Sequence, residues 1–172
     1  MVSALMSTEQ PAFDPERALS VLNDHGVRYV VIGGIAAAAH GSPMLTSDLD
    51  VCYARDDSNL RALANALVAL NARLRDAPQG LPFQLDHLTL RHGDHFTFVT
   101  DAGDLDVLAT PAGTAGYDQL VSDASAIELG GNLEVRIASL DLLIRMKVAA
   151  GRPKDLFALE TLRAIRDEAN DS

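Results

Sequence analysis

The sequence predicts an α/β (α+β) fold, a mixed β-sheet with helices packed against it, and three observations carry that expectation. Short apolar strands at 28–32 and 49–55 enclose an alanine-rich helical stretch at 34–40. Two segments, Asp48-Leu49-Asp50-Val51 and Asp104-Leu105-Asp106-Val107, alternate acid with hydrophobe as half-buried strands do. Leu60, Leu63, Leu67, Leu70 and Leu74 recur at helical spacing, giving one apolar stripe to lay against a sheet.

The elements follow in order along the chain. Asp14 with Pro15 behind it is a helix start, and the helix should run to His25-Gly26, where glycine stops it. After the strand, the alanine helix and the second strand, Ser58 is expected to cap a helix reaching Arg75. Residues 76–82 form a loop. Strands at 94–100 and 104–109 make a hairpin through Asp101-Ala102-Gly103, a helix follows at 114–121, and a second hairpin turns at Gly130-Gly131-Asn132. Ser139 caps a helix to Ala150, Gly151-Arg152-Pro153 interrupts it, and a last helix covers 154–168. A flexible N-terminus, 1–13, thus precedes one domain, 14–169, with disorder expected again in the last three residues.

Composition narrows the function classes. The chain has 172 residues, 48% hydrophobic and 22% charged, enough for one substantial core. A net charge of −10 argues against a protein that coats nucleic acid through a broad basic surface. The charge is uneven: seven basic and three acidic residues between Arg136 and Arg166 leave a local excess of +4, which permits an anionic substrate there. No apolar run has the length of a membrane span, and Met1 to Phe13 lacks the basic flank and apolar centre of a signal peptide, so the expected compartment is the cytoplasm and no membrane partner is expected. The single cysteine, Cys52, reads as a buried small hydrophobe.

The chemistry concentrates in VVIGGIAAAAHGSPMLTSDLDV, residues 30–51. In a strand, residues two apart point the same way, so Asp48 and Asp50 project together while Leu49 and Val51 enter the core. Carboxylates so close repel and raise each other's pKa unless a cation lies between them. Asp106 is flanked by Leu105 and Val107 as Asp50 is by its neighbours. If the two strands adjoin, Asp48, Asp50 and Asp106 surround one site, and three carboxylates suit Mg²⁺. Gly33 and Gly34, between strand and helix, let a phosphate approach unpaired N–H groups at the helix start.

Together, Gly33-Gly34, the following helix, Asp48-Leu49-Asp50 and Asp106 resemble the signature of the DNA polymerase β-like nucleotidyltransferase superfamily, whose minimal members occur in bacterial toxin–antitoxin systems. The stretch LLIRMKVAAGRPKDL, 142–156, is similar to the lysine helix and following aspartate of AbiEii-type proteins. The resemblance covers about 27–162. It implies a nucleotidyltransferase fold, metal binding and catalysis by Asp48, Asp50 and Asp106, and nucleotide binding by Gly33, Gly34, Ser47, Lys147 and Asp155. It further implies two-metal transfer of a nucleoside monophosphate from a nucleoside triphosphate to an acceptor hydroxyl, with Asp106 helping to deprotonate that hydroxyl. The acceptor would be tRNA or a protein, with small molecules such as antibiotics known in related families, and the leaning is towards tRNA. A cognate toxin or antitoxin is the implied partner. In such proteins a basic residue often stands shortly before the paired acids, where this chain has Met44.

Other polar residues have plainer readings beside these. Lys147 sits on an otherwise apolar helix face, where an ammonium needs solvent or an anion; Arg152 and Lys154 serve equally as surface charges, and Asp155 equally as a helix-terminal acid. His87, His92 and His95 fit no zinc spacing and are expected at a hairpin edge, and His40 at a helix end. Two functions follow: an Mg²⁺-dependent nucleotidyltransferase, or a non-catalytic nucleotide-binding or antitoxin-like partner that keeps the fold. Met44 favours the second, and the intact acids favour the first.

Overall fold

The computed structural model describes residues 10–78 and 80–172. Along the chain run α1 (Pro15–Asp24), β1 (Tyr29–Ile32), α2 (Gly33–Ala39), β2 (Asp48–Tyr53), α3 (Asp57–Ala69), β3 (Arg73–Leu74), α4 (His87–His92), β4 (His95–Thr100), β5 (Gly103–Leu108), α5 (Tyr117–Ser122), β6 (Ser125–Leu129), β7 (Leu133–Ile137), α6 (Leu140–Ala150) and α7 (Asp155–Asn170). Among the described residues these strands form one seven-stranded sheet, ordered β3-β4-β5-β2-β1-β7-β6. It is mixed: β2 runs parallel to β5 and β1 parallel to β7, while the other neighbours are antiparallel.

The alternation read in the sequence sets the layers. Leu49, Val51, Leu105 and Val107 are buried in the core, so the pleat sends Asp48, Asp50, Asp104 and Asp106 to the opposite face. Leu60, Leu63 and Leu67 on α3 and Leu70 at its C-terminal cap are fully buried, and such burial stabilises by about 1.5–3 kcal/mol per side chain. Caps fall largely where local chemistry puts them: Asp14 accepts from Arg17 N at 3.1 Å, Ser139 accepts from Leu142 N at 3.2 Å, and Gly151 closes α6 in the left-handed conformation. No helix among the described residues is long and apolar enough to cross a membrane.

Four local expectations need correction. The cap of α3 is Asp56, whose side chain accepts from Asn59 N at 3.2 Å, while the Ser58 hydroxyl donates to that same carboxylate. The helix stops at Ala69, because Asn71 adopts φ +52° and turns the chain; Arg73 and Leu74 then pair with β4, and Leu74 leaves the leucine stripe. His87 and His92 lie on α4, a single-turn helix capped by Asp86 and anchored by Leu90; His95 alone of the three is on a strand. Helix α5 begins at Tyr117, after Gly116 at φ +99°. The flexible N-terminus expected at 1–13 lies outside the described residues over 1–9. At its end Phe13 packs on the core, and Asp14 N–H donates to Ala102 O at 2.9 Å.

Candidate functional site

Parallel pairing of β2 with β5 sets Asp50 opposite Asp106 and Asp48 opposite Asp104. As a result, one carboxylate oxygen from each of Asp48, Asp50 and Asp106 lies within 4.8 Å of the other two. Asp50 is pushed up to about 7, first by burial, then by the charges of Asp48 and Asp106 and a hydrogen bond shared with Asp106; Lys147 opposes this. Asp106 is also raised, chiefly by burial, against the pull of Arg75. Burial and mutual repulsion thus work against full ionisation of this pair, and a cation between the carboxylates would relieve that repulsion. Three hard oxygens that close, partly buried and short of positive charge, are a donor set that fits Mg²⁺ or a similar divalent ion.

The glycines make this crowding possible. Gly33 has φ +67°, and a Cβ there would be 2.9 Å from Asp50 Cγ and closer still to its Oδ2. A Cβ on Gly34 would come within 2.7 Å of Thr46 Cβ and Oγ1. Thr46 in turn donates through Oγ1 to Asp48, either to its backbone O at 3.1 Å or to its Oδ1 at 3.2 Å. The glycine pair thus gives room to the acid strand as well as to any ligand above it.

Facing the triad is a wall from α6 and α7. Lys147 Nζ lies 3.1 Å from Asp155 Oδ1, and Arg152 donates to the same carboxylate from Nε at 2.7 Å and Nη2 at 3.3 Å. Asp155 is 4% exposed, and these bonds, Arg152's foremost, hold its carboxyl below the usual carboxylate range. Between wall and sheet is an open cleft of about 590 Å³. Gly33, Gly34, Asp48, Asp50, Asp106, Lys147 and Asp155 all line it, as do Arg152 and Lys154. Ser47 is exposed and lies outside the lining; its neighbour Thr46 takes that place. Met44 is 39% exposed and Leu45 fully so, and both line the cleft.

Two lining residues went unforeseen. Arg75 Nη2 donates to Asp106 Oδ1 at 2.8 Å, and His95 Nε2 lies 4.0 Å from Asp106 Oδ2. Reading Arg75 as the end of a helix put it on the wrong element. The left-handed preference of Asn71, followed by a short Arg-Leu pair, was the available signal.

No protein-family model matches this chain, and no curated protein matches it in sequence. Solved structures do. Lincosamide antibiotic adenylyltransferase LnuA, with lincomycin bound, superposes with TM-score 0.59 at 14% identity, over 90% of this chain and 99% of that one. ANT(2'')-Ia in complex with adenylyl-2''-tobramycin gives 0.55 at 15% identity, over 90% of this chain and 87% of that one. The solution structure of the same antibiotic-resistance factor gives 0.52 at 15% identity, over 91% and 89%. At such low identity the likeness is one of architecture: the chain has the nucleotidyltransferase fold.

Proposed function

We propose that this protein transfers a nucleoside monophosphate from a nucleoside triphosphate to a hydroxyl of an acceptor molecule, using a divalent cation held by Asp48, Asp50 and Asp106. The observation that carries the reading is the meeting of three carboxylates, each within 4.8 Å of the others, in a cleft whose far wall is basic. A bound divalent ion would supply Lewis acidity at the reacting phosphate. The chain's own groups do the rest. Lys147, Arg152 and Lys154 offset the phosphate charge, and Gly33 and Gly34 leave the backbone open to close approach. Asp155 holds Lys147 and Arg152 at the cleft. Asp106, with Oδ1 engaged by Arg75, presents Oδ2 to take the proton of the acceptor hydroxyl. The acceptor oxygen bonds to the α-phosphorus, the bond from that phosphorus to the bridging oxygen breaks, and pyrophosphate leaves.

Small hydroxylated molecules are the first acceptors to test, because both LnuA and ANT(2'')-Ia, whose chains this one matches over most of their length, were solved with antibiotics or their adenylyl derivatives. The AbiEii-like tail puts tRNA, a protein acceptor and a toxin–antitoxin setting in the same assay. A second reading, nucleotide binding without transfer, draws on the exposed Met44-Leu45 loop, which brings no cation to the cleft. Each α-labelled nucleoside triphosphate is incubated with Mg²⁺ and, in turn, hydroxylated antibiotics, bulk tRNA and cell extract, with wild type beside Asp50→Asn. Transfer by wild type and not by the variant is expected. Nucleotide binding with no transfer to any acceptor supports the second reading, and equal transfer by the variant refutes the first.

A further inference from the structure

Arg75 is built into the sheet before it reaches the acids. Its backbone N–H donates to Thr97 O at 2.9 Å, fixing the residue beside β4. The side chain then crosses that strand, and Nη2 donates both to Phe98 O at 3.1 Å and to Asp106 Oδ1 at 2.8 Å. Nε lies 3.5 Å from Asp104 Oδ2 and makes no hydrogen bond among the described residues. The side chain is 23% exposed and that of Asp106 13%, so water screens their contact only in part. Anchored to a strand carbonyl as well as to the acid, this guanidinium is not a loose surface charge that an arriving ion displaces at little cost.

We propose that Arg75 is a positioning residue that occupies one oxygen of Asp106 with a fixed positive charge, so that the cleft takes up a divalent cation weakly by itself and strongly only together with a triphosphate. The proposal rests on reading the triad as a metal site. Its logic is charge balance. Asp48, Asp50, Asp106 and Asp155 are the acids lining the cleft, and Arg75, Lys147, Arg152 and Lys154 are the opposing basic side chains, with His95 beside Asp106. A bare dication meets repulsion from Arg75 at short range, where the field of a fixed charge is strong. A dication arriving on a triphosphate brings an excess of negative charge, which the basic residues attract. Removing Arg75 frees Asp106 Oδ1 and deletes the repulsion. It also frees one carboxylate rotamer, a smaller effect than that of a neighbouring charge, and Asp106 keeps its contact with Asp50.

The test uses the full chain without nucleotide, titrated with Mn²⁺ while free Mn²⁺ is followed by electron paramagnetic resonance. Wild type is compared with Arg75→Gln, Arg75→Met, Arg75→Lys and Asp106→Asn, each checked for folding by its melting curve. The two neutral variants are expected to bind Mn²⁺ about tenfold more tightly than wild type, with Arg75→Lys within about twofold of wild type. Adding a non-hydrolysable nucleoside triphosphate should tighten Mn²⁺ binding far more in wild type than in Arg75→Gln. Unchanged or weaker Mn²⁺ binding in the folded neutral variants, including no detectable binding by any of them, overturns the role of Arg75. Asp106→Asn distinguishes that failure from failure of the underlying reading: Mn²⁺ binding that survives this substitution intact, with and without nucleotide, refutes the triad itself as the metal site.

Discussion

Asp50 and Asp155 lie on opposite walls of one cleft, both withdrawn from water, yet Asp50 is pushed up to about 7 while Asp155 is held below the usual carboxylate range. Asp155 is itself 4% exposed, so coverage alone does not decide the sign. What covers each acid does. Asp155 is covered partly by the cations that bind it, Lys147 from α6 and Arg152 from the turn before α7. Asp50 lies under protein mass with two further acids beside it, and the Arg75 guanidinium nearby bonds to Asp106. One wall pairs its acid with cations and has positive charge to spare, and the other is left short of positive charge. That deficit is the basis of the cation site proposed above.

The largest expected effect comes from removing the deficit. If the proposed function holds, Asp50→Asn should lower nucleotidyl transfer at least about a hundredfold, through loss of a proposed cation ligand, while raising the melting temperature of the metal-free protein. Parallel transfer assays and calorimetry check both halves. Gly33→Ala attacks the same wall through its backbone: φ +67° and the contact with Asp50 should cost about 1–3 kcal/mol of stability in urea unfolding and displace the acid.

A pH series separates the two walls. For Asp50 the folded pKa of about 7 lies above the ordinary 3.8, so the folded state binds the extra proton between those values. Stability from this group therefore rises as pH falls from 7 towards 4 and is lost as pH rises. In chelator, Asp50→Asn should exceed wild type at pH 8 by about 2 kcal/mol more than it does at pH 5. For Asp155 the folded pKa is depressed below 3.8, so its contribution is present above that value and lost as pH falls through the folded pKa. Asp155→Ala should cost about 1–2 kcal/mol at pH 7, reduced from the value for a buried pair because Arg152 and Lys147 reach water, and the loss should vanish in strong acid. Denaturant titrations across pH read all of these slopes.

The sequence was most informative where local chemistry alone decides. The alternation of Asp48-Leu49-Asp50-Val51 and Asp104-Leu105-Asp106-Val107 identified two strands and the face their acids share, because a period of two has one geometrical solution. Ser139 and Gly151 bounded α6 correctly for the same reason. The adjacency of β2 and β5 came from pattern plus resemblance, not from any local signal. What sequence reading missed depends on distant partners. Leu74 continued the leucine spacing by coincidence while its backbone joined β4, and this hid Arg75. Helix α4, with six residues, is too short for a period to show. Asp155 read equally well as a helix-terminal acid, because its bond to Lys147, eight residues earlier, exists only once α6 and α7 fold together. Gly33 and Gly34 were read as space for phosphate, whereas their side-chain space is taken first by Asp50 and Thr46.

The central claim, that the deficit at Asp48, Asp50 and Asp106 is filled by a divalent cation brought to the cleft with a nucleotide, is tested most directly by a crystal grown with Mn²⁺ and a non-hydrolysable nucleoside triphosphate. The account predicts an anomalous difference peak about 2.0–2.3 Å from oxygens of all three carboxylates, with the phosphates lying between that peak and Lys147. A nucleotide bound in the cleft with no metal at the three acids, or a manganese peak seated away from them, would contradict it.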